Sequence, residues 1–129
     1  MLTVALPYPP SVNHYWRRVG PRTVISRQGR AYRRDVATAV RLIDHAAERL
    51  PLTGPLSVEV VLYPPDRRRR DLDNALKAIF DALEHAGVYP DDSLIEQLSV
   101  EKRDVVAGGK AVVIIQRRCT LPKKTEAKA

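Results

Sequence analysis

Residues 66–77 read DRRRRDLDNALK, and the rest of the chain takes its meaning from this stretch. Four consecutive arginines, Arg67, Arg68, Arg69 and Arg70, run into Asp71, Asp73 and Asn74, and Lys77 follows Asp73 by one helical turn. Arginine offers a planar fork of donors that matches phosphate oxygens. Closely spaced carboxylates are hard oxygen ligands of the kind Mg²⁺ selects. Residues two apart inside a helix diverge in direction, so two aspartates at that spacing share a cation easily only if one lies outside it. Asp71 is therefore expected at the N-cap or just before it, and Asp73 in the first turn, where aligned N–H groups favour anions. Leu76, Ile79, Phe80 and Leu83 recur at helical spacing, and Gly87 is a natural stop. Asp73, Lys77 and Asp81 then share one face. The same residues also describe a capped amphipathic helix behind a solvated charge run, with Asp73 and Lys77 an ordinary ion pair; the stretch by itself carries both readings.

Immediately upstream, Leu56, Val58, Val60 and Leu62 alternate with Ser57, Glu59, Val61 and Tyr63, a strand ended by Pro64 and Pro65. The arginine run thus falls between a strand end and a helix start, a favourable place for phosphate. Before that strand, Tyr32, Val36, Val40, Ile43 and Ala47 mark a helix that begins near Gly29 or Arg30 and ends before Pro51. The loop preceding it carries Asn13, His14, Tyr15, Trp16, Arg17 and Arg18, a mixture suited to stacking on bases and gripping phosphates. Tyr15 and Trp16 folding back on the core is the structural alternative. Leu2, Val4 and Leu6 read as a first strand.

Downstream of Gly87 the segment YPDDS, residues 89–93, returns two more acids, Asp91 and Asp92. Either would complete a carboxylate cluster with Asp71 and Asp73 if the loop folds back to the helix start, and either equally suits a turn cap. Residues 95–106 and 110–118 are β-rich and meet at Gly108-Gly109, a hairpin signal, with Leu98, Val100, Val112 and Ile114 as expected core faces. The order β-α-β-α-β-β implies an α+β two-layer sandwich, a mixed sheet with two main helices on one face.

Composition fits a single domain over residues 1–119, followed by a tail, 120–129, with too few apolar groups to pack. Hydrophobic residues make up 44% against 29% charged, which excludes a disordered chain. Lys plus Arg number 22 against 15 acids, a net charge of +7, which favours a polyanionic partner, nucleic acid before anionic membrane. Cys119 is the sole cysteine, so neither an intrachain disulfide nor a cysteine zinc cluster forms. No charged leader with a long apolar run and no bilayer-length apolar stretch is present, consistent with a soluble, reducing, cytoplasmic setting. A non-catalytic branched-DNA or RNA-binding module would use the same basic charge and loop aromatics. It has little use, however, for several acids beside its phosphate grip.

The pattern as a whole resembles the RusA family of Holliday-junction resolvases. The matching pieces are PYPPSVNHYW, SRQGRAYR, DRRRRDLDNALKAIFDALEHAG and YPDD, in family order and spacing from Leu2 to about Arg118. The resemblance implies a RusA-like fold and an endodeoxyribonuclease that cuts opposed strands of four-way junction DNA as a homodimer. It also implies that Asp71, Asp73 and Asp92 hold Mg²⁺, with Mn²⁺ the alternative ion, that Lys77 is the catalytic lysine, and that Arg67 to Arg70 grip DNA beside the site. Asp91 is the adjacent acid, and a shift of one residue in the alignment would exchange it with Asp92.

Overall fold

The computed structural model describes residues 1–43 and 49–118. Its centre is the strand read first upstream of the arginines, here β4, Leu56–Tyr63. Leu56, Val58, Val60 and Leu62 are all buried, as strict alternation on a half-covered sheet requires. Around it the main sheet runs β1 (Leu2–Leu6), β6 (Lys110–Arg117), β4, β5 (Ile95–Lys102). β4 is antiparallel to β6 and parallel to β5, and β6 is antiparallel to β1.

Two main helices cover one face. Helix α2, Arg27–Arg41, contributes Tyr32, Val36 and Val40, and helix α3, Asp73–His85, contributes Ala75, Ala78, Ile79, Ala82 and Leu83. They pack on Leu2, Val4 and Leu6 of β1, Ala111, Val113 and Ile115 of β6, and the buried row of β4. The registers Val4↔Val113 and Val60↔Val113 put these side chains on one surface of the sheet. The mixed sheet with two main helices is the architecture expected. Two small pieces join it in the loop after β1: a single helical turn α1, Val12–Tyr15, and a separate hairpin of β2, Trp16–Val19, with β3, Arg22–Ile25.

Helix α2 starts at Arg27, earlier than Gly29, because Ser26 caps it: the Ser26 Oγ accepts from Gly29 N at 3.0 Å. Ala47, Cys119 and the tail 120–129 lie outside the described residues.

The hairpin expected at Gly108-Gly109 does not form between β5 and β6. The two strands lie on opposite sides of β4. Helix α3 makes β4–α3–β5 a parallel crossover, which places β5 against β4. The chain then passes over the end of β4, where Arg103 N donates to Leu62 O and Val106 N to Pro64 O, and turns at the two glycines, both with positive φ, into β6. The local turn is real; its flanking strands find partners other than each other. The predicted core faces also change. On β6 it is Ala111, Val113 and Ile115 that are buried, rather than Val112 and Ile114, and Leu98 is 42% exposed. A frame shift of one residue moves a whole strand to the other face, and only the pairing with β4 sets that frame.

Candidate active site

The arginine loop is built around Asp66 and Arg70. Asp66 Oδ1 accepts from Arg68 N at 2.9 Å, closing an Asx turn, and from Arg70 Nη1 at 2.6 Å. Hydrogen bonds from Arg70 and from the Arg68 backbone lower the Asp66 carboxyl to about 2. The Arg70 guanidinium lies 5.5 Å from the Tyr8 ring centroid, and Lys102 Nζ donates to its carbonyl at 3.2 Å. Arg70 therefore works as a clamp that fastens the loop to the first strand's exit and to β5. Arg67, Arg68 and Arg69 project outward. The Arg68 side chain is 81% exposed, with a long 3.7 Å ion pair to Asp66.

Helix α3 begins at Asp73, behind Leu72 at the cap position, so Asp71 stands just outside the helix and Asp73 in its first turn. Among the described residues neither aspartate side chain makes a hydrogen bond or ion pair, and no salt bridge joins Asp73 to Lys77. The ordinary i,i+4 pair that the sequence also allowed is absent. Asn74 Oδ1 accepts from Val12 N at 3.2 Å and so pins the N-terminal loop against α3.

A groove of about 910 Å³ opens beside these groups. Arg68, Arg69, Arg70 and Asp71 form one side, Pro7 to Ser11 another, and the start of α2 the third.

The N-terminal loop is held by a network that sequence reasoning did not find. The Tyr15 hydroxyl donates to Asp81 Oδ2, and Arg33 Nε donates to the same oxygen at 2.9 Å. Tyr15 is fully buried, edge-on to Trp16 and Tyr32. Burial, and after it the bond to Asp81, push its phenol well above the ordinary range. Tyr15 is thus a core residue and not a stacking platform for DNA. Asn13, Arg17 and Arg18 are exposed as expected. The helical spacing of Asp81 from Asp73 was legible; its partners, 48 and 66 residues away, were not.

Asp91 and Asp92 sit beyond the far end of α3. Asp91 Oδ1 accepts from Ser93 N at 2.8 Å and caps the short 3-10 turn Asp92–Leu94, which holds the Asp91 carboxyl below its usual range. Asp92 N donates to Glu84 Oε1 at 3.1 Å. One carboxylate oxygen each of Glu84, Asp91 and Asp92 lie within 4.8 Å of one another. Glu84 is eleven residues after Asp73, which at about 1.5 Å per residue is roughly 16 Å along the helix. The loop does not fold back to the helix start. One chain therefore places Asp71 and Asp73 at the start of α3 and Asp92 beyond its opposite end.

An α+β domain with a basic groove running to uncommitted carboxylates at a helix start is, by class, a protein that handles phosphodiesters. Comparison with known proteins makes the class particular. The family model described as Endodeoxyribonuclease RusA matches residues 7–116. Among similar proteins is the Crossover junction endodeoxyribonuclease RusA of Escherichia coli strain K12, 42% identical over 113 residues, 88% of this chain and 92% of that protein. The protein of that name from Enterobacteria phage 82 is 43% identical over 112 residues, 87% of this chain and 91% of its own length. The chain belongs to the RusA family of endodeoxyribonucleases. Among the described residues no helix is long and apolar enough to cross a membrane.

Proposed function

We propose that the protein is a divalent-metal-dependent, structure-selective endodeoxyribonuclease that resolves Holliday junctions by paired symmetric incisions in DNA recombination and repair. The observation that carries this reading is that the side chains of Asp71, Asp73 and Lys77 have no partner among the described residues, with Asp71 lining a groove walled by arginines, in a chain whose relatives are named crossover junction endodeoxyribonucleases. A binding module has no reason to leave two carboxylates unpaired where a phosphate is to be held. Their cost to DNA affinity is explained by catalysis.

Exposed carboxylate oxygens free of internal partners are a donor set suited to Mg²⁺, or to Mn²⁺ in its place. Asp71, Asp73 and Asp92 would hold the ion. When bound, it supplies Lewis acidity toward the scissile phosphate and a more acidic water. Arg67, Arg68 and Arg69, with Arg17 and Arg18, hold the DNA backbone and set its register without reading sequence, and Asn13 adds a polar contact. Arg70 keeps that loop in place. Lys77, one turn beyond Asp73 on the same face, balances the charge that builds on the phosphate oxygens. Asp91 is committed to its turn, which favours Asp92 as the third ligand. The separation of Asp92 from Asp71 and Asp73 supports a homodimer in which Asp92 of the partner subunit completes the set.

The test is incubation with a labelled four-way junction and a matched linear duplex, in Mg²⁺ or EDTA. Symmetric paired incisions in the junction alone, lost in EDTA, are expected. Asp73→Asn should bind the junction and not cut it, because removing a negative charge near DNA leaves attraction intact. Tight binding without cutting under any divalent ion would instead establish a binding module.

A further inference from the structure

The groove is larger than phosphate contacts need, and its third wall is chemically unlike the other two. That wall is the first half of α2, where Gln28, Ala31, Tyr32 and Asp35 recur at helical spacing and all line the groove. Tyr32 is buried and its hydroxyl is committed to Pro7 O at 2.9 Å. Ala31 between the two polar residues leaves open space. Gln28 and Asp35 are exposed, and neither side chain hydrogen-bonds or ion-pairs among the described residues. The groove thus has cations and Asp71 on one side, and an amide and a carboxylate without partners on the other. The open groove, about 910 Å³, has room for a nucleobase.

A nucleotide held by its phosphate at Arg68 and Arg69 has its base free to enter this space. Glutamine pairs bidentately with the edge of adenine, and a carboxylate accepts from the exocyclic amine of cytosine. Bases stacked in duplex DNA cannot reach such a pocket, whereas a base at a branch point is already partly unstacked, so extruding it costs least there. We infer that the groove is a nucleobase subsite: it takes a base extruded at the branch point next to the cut strand, and Gln28 and Asp35 are the residues that read it. The inference rests on the reading of the protein as a junction endonuclease, and it adds a base-reading site to a set of contacts that otherwise ignores sequence.

Two measurements test it, the first of them independent of cleavage. Four-way junctions carrying 2-aminopurine singly at each branch-flanking position are titrated with the protein in EDTA. Fluorescence should rise on binding at one or more positions, and Ala31→Trp, which puts an indole into the space between Gln28 and Asp35, should suppress the rise. No rise at any position, or a rise that Ala31→Trp leaves unchanged, overturns the proposal whether or not the protein cuts DNA. In Mg²⁺, cleavage is then compared over junctions bearing all sixteen dinucleotides at the branch. Gln28→Ala and Asp35→Ala should each flatten the wild-type preference by about tenfold, and Asp35→Asn, which turns one acceptor into a donor, should shift it to another base. Profiles unchanged in all three variants overturn the assignment of the reading residues. Absence of any cleavage overturns the endonuclease reading and leaves the subsite to the fluorescence result.

Discussion

Arg70 differs from the three arginines before it in what its guanidinium touches. It is spent on Asp66 and Tyr8, while Arg67 and Arg69 face solvent with no side-chain partner among the described residues. A side chain that meets only phosphate contributes through counterion release, so its removal is read in the salt dependence of binding. Arg69→Ala should lower the slope of log affinity against log salt by about 1 and leave denaturant unfolding unchanged, measured by junction binding over a salt series. Arg70→Ala should lower the unfolding midpoint. Asp66 makes a further prediction with a definite sign. Its folded carboxyl is held at about 2 against an ordinary 3.8, so its contribution to stability is full above pH 4 and is lost as pH falls through about 2. The urea midpoint of the wild type should therefore fall more steeply between those pH values than that of Asp66→Asn. From the sequence the four arginines are indistinguishable, because what separates them is an Asx turn and a ring from another part of the chain.

Among the elements, α2 shows a local preference reversed by packing. Alanine normally improves a helix over glycine by up to about 1 kcal/mol. At Gly29 a Cβ would stand 2.5 Å from the Tyr15 carbonyl oxygen and 2.7 Å from Ile25 Cγ1. The oxygen is backbone, and it is held by Ser26 N and Ser26 Oγ, so it cannot yield cheaply. Gly29→Ala should accordingly destabilise the protein, by about 1–3 kcal/mol as overpacking does, read from chemical denaturation. Loss there would also loosen the N-terminal loop, since the same carbonyl and the Tyr15 hydroxyl anchor it to α2 and α3. Helix α3 acts differently: as a rod, it separates the two acidic groups that a sequence motif lists side by side. The i,i+4 rows of α3 were readable from residues 73–83. The direction of the chain after Gly87 was not, because Tyr89 turns inward, fully buried, its hydroxyl donating to Phe80 O, and so carries the acidic turn to the C-terminal end of the helix.

At the scale of the whole molecule the question is whether two copies share a site. In a homodimer whose site takes Asp71 and Asp73 from one protomer and Asp92 from the partner subunit, mixing has a distinctive outcome. Asp73→Asn and Asp92→Asn should each be inactive alone. After exchange, about half the dimers are mixed. Each mixed dimer holds one site with both substitutions and one with none, so the mixture should nick one strand of the junction without a paired cut. If all three acids act within one chain, every site carries a substitution and no nicking appears. Nicking measured on denaturing gels after mixing decides between them. The sequence by itself determined the alternating core row of β4, the span of α3, the placement of Asp71 outside and Asp73 inside its first turn, and the basic run before them. These depend on period and on neighbours within a few residues, which the chain carries locally. The tertiary structure alone decided that β5 and β6 flank β4 instead of pairing, that Ala111, Val113 and Ile115 face the core, that Tyr15 is buried on Asp81, and that Asp92 stands beside Glu84, which is itself roughly 16 Å along α3 from Asp73. Each of those depends on contacts between residues far apart in the chain, and it is the burial of one sheet face beneath two helices that selects among the arrangements local preference allows.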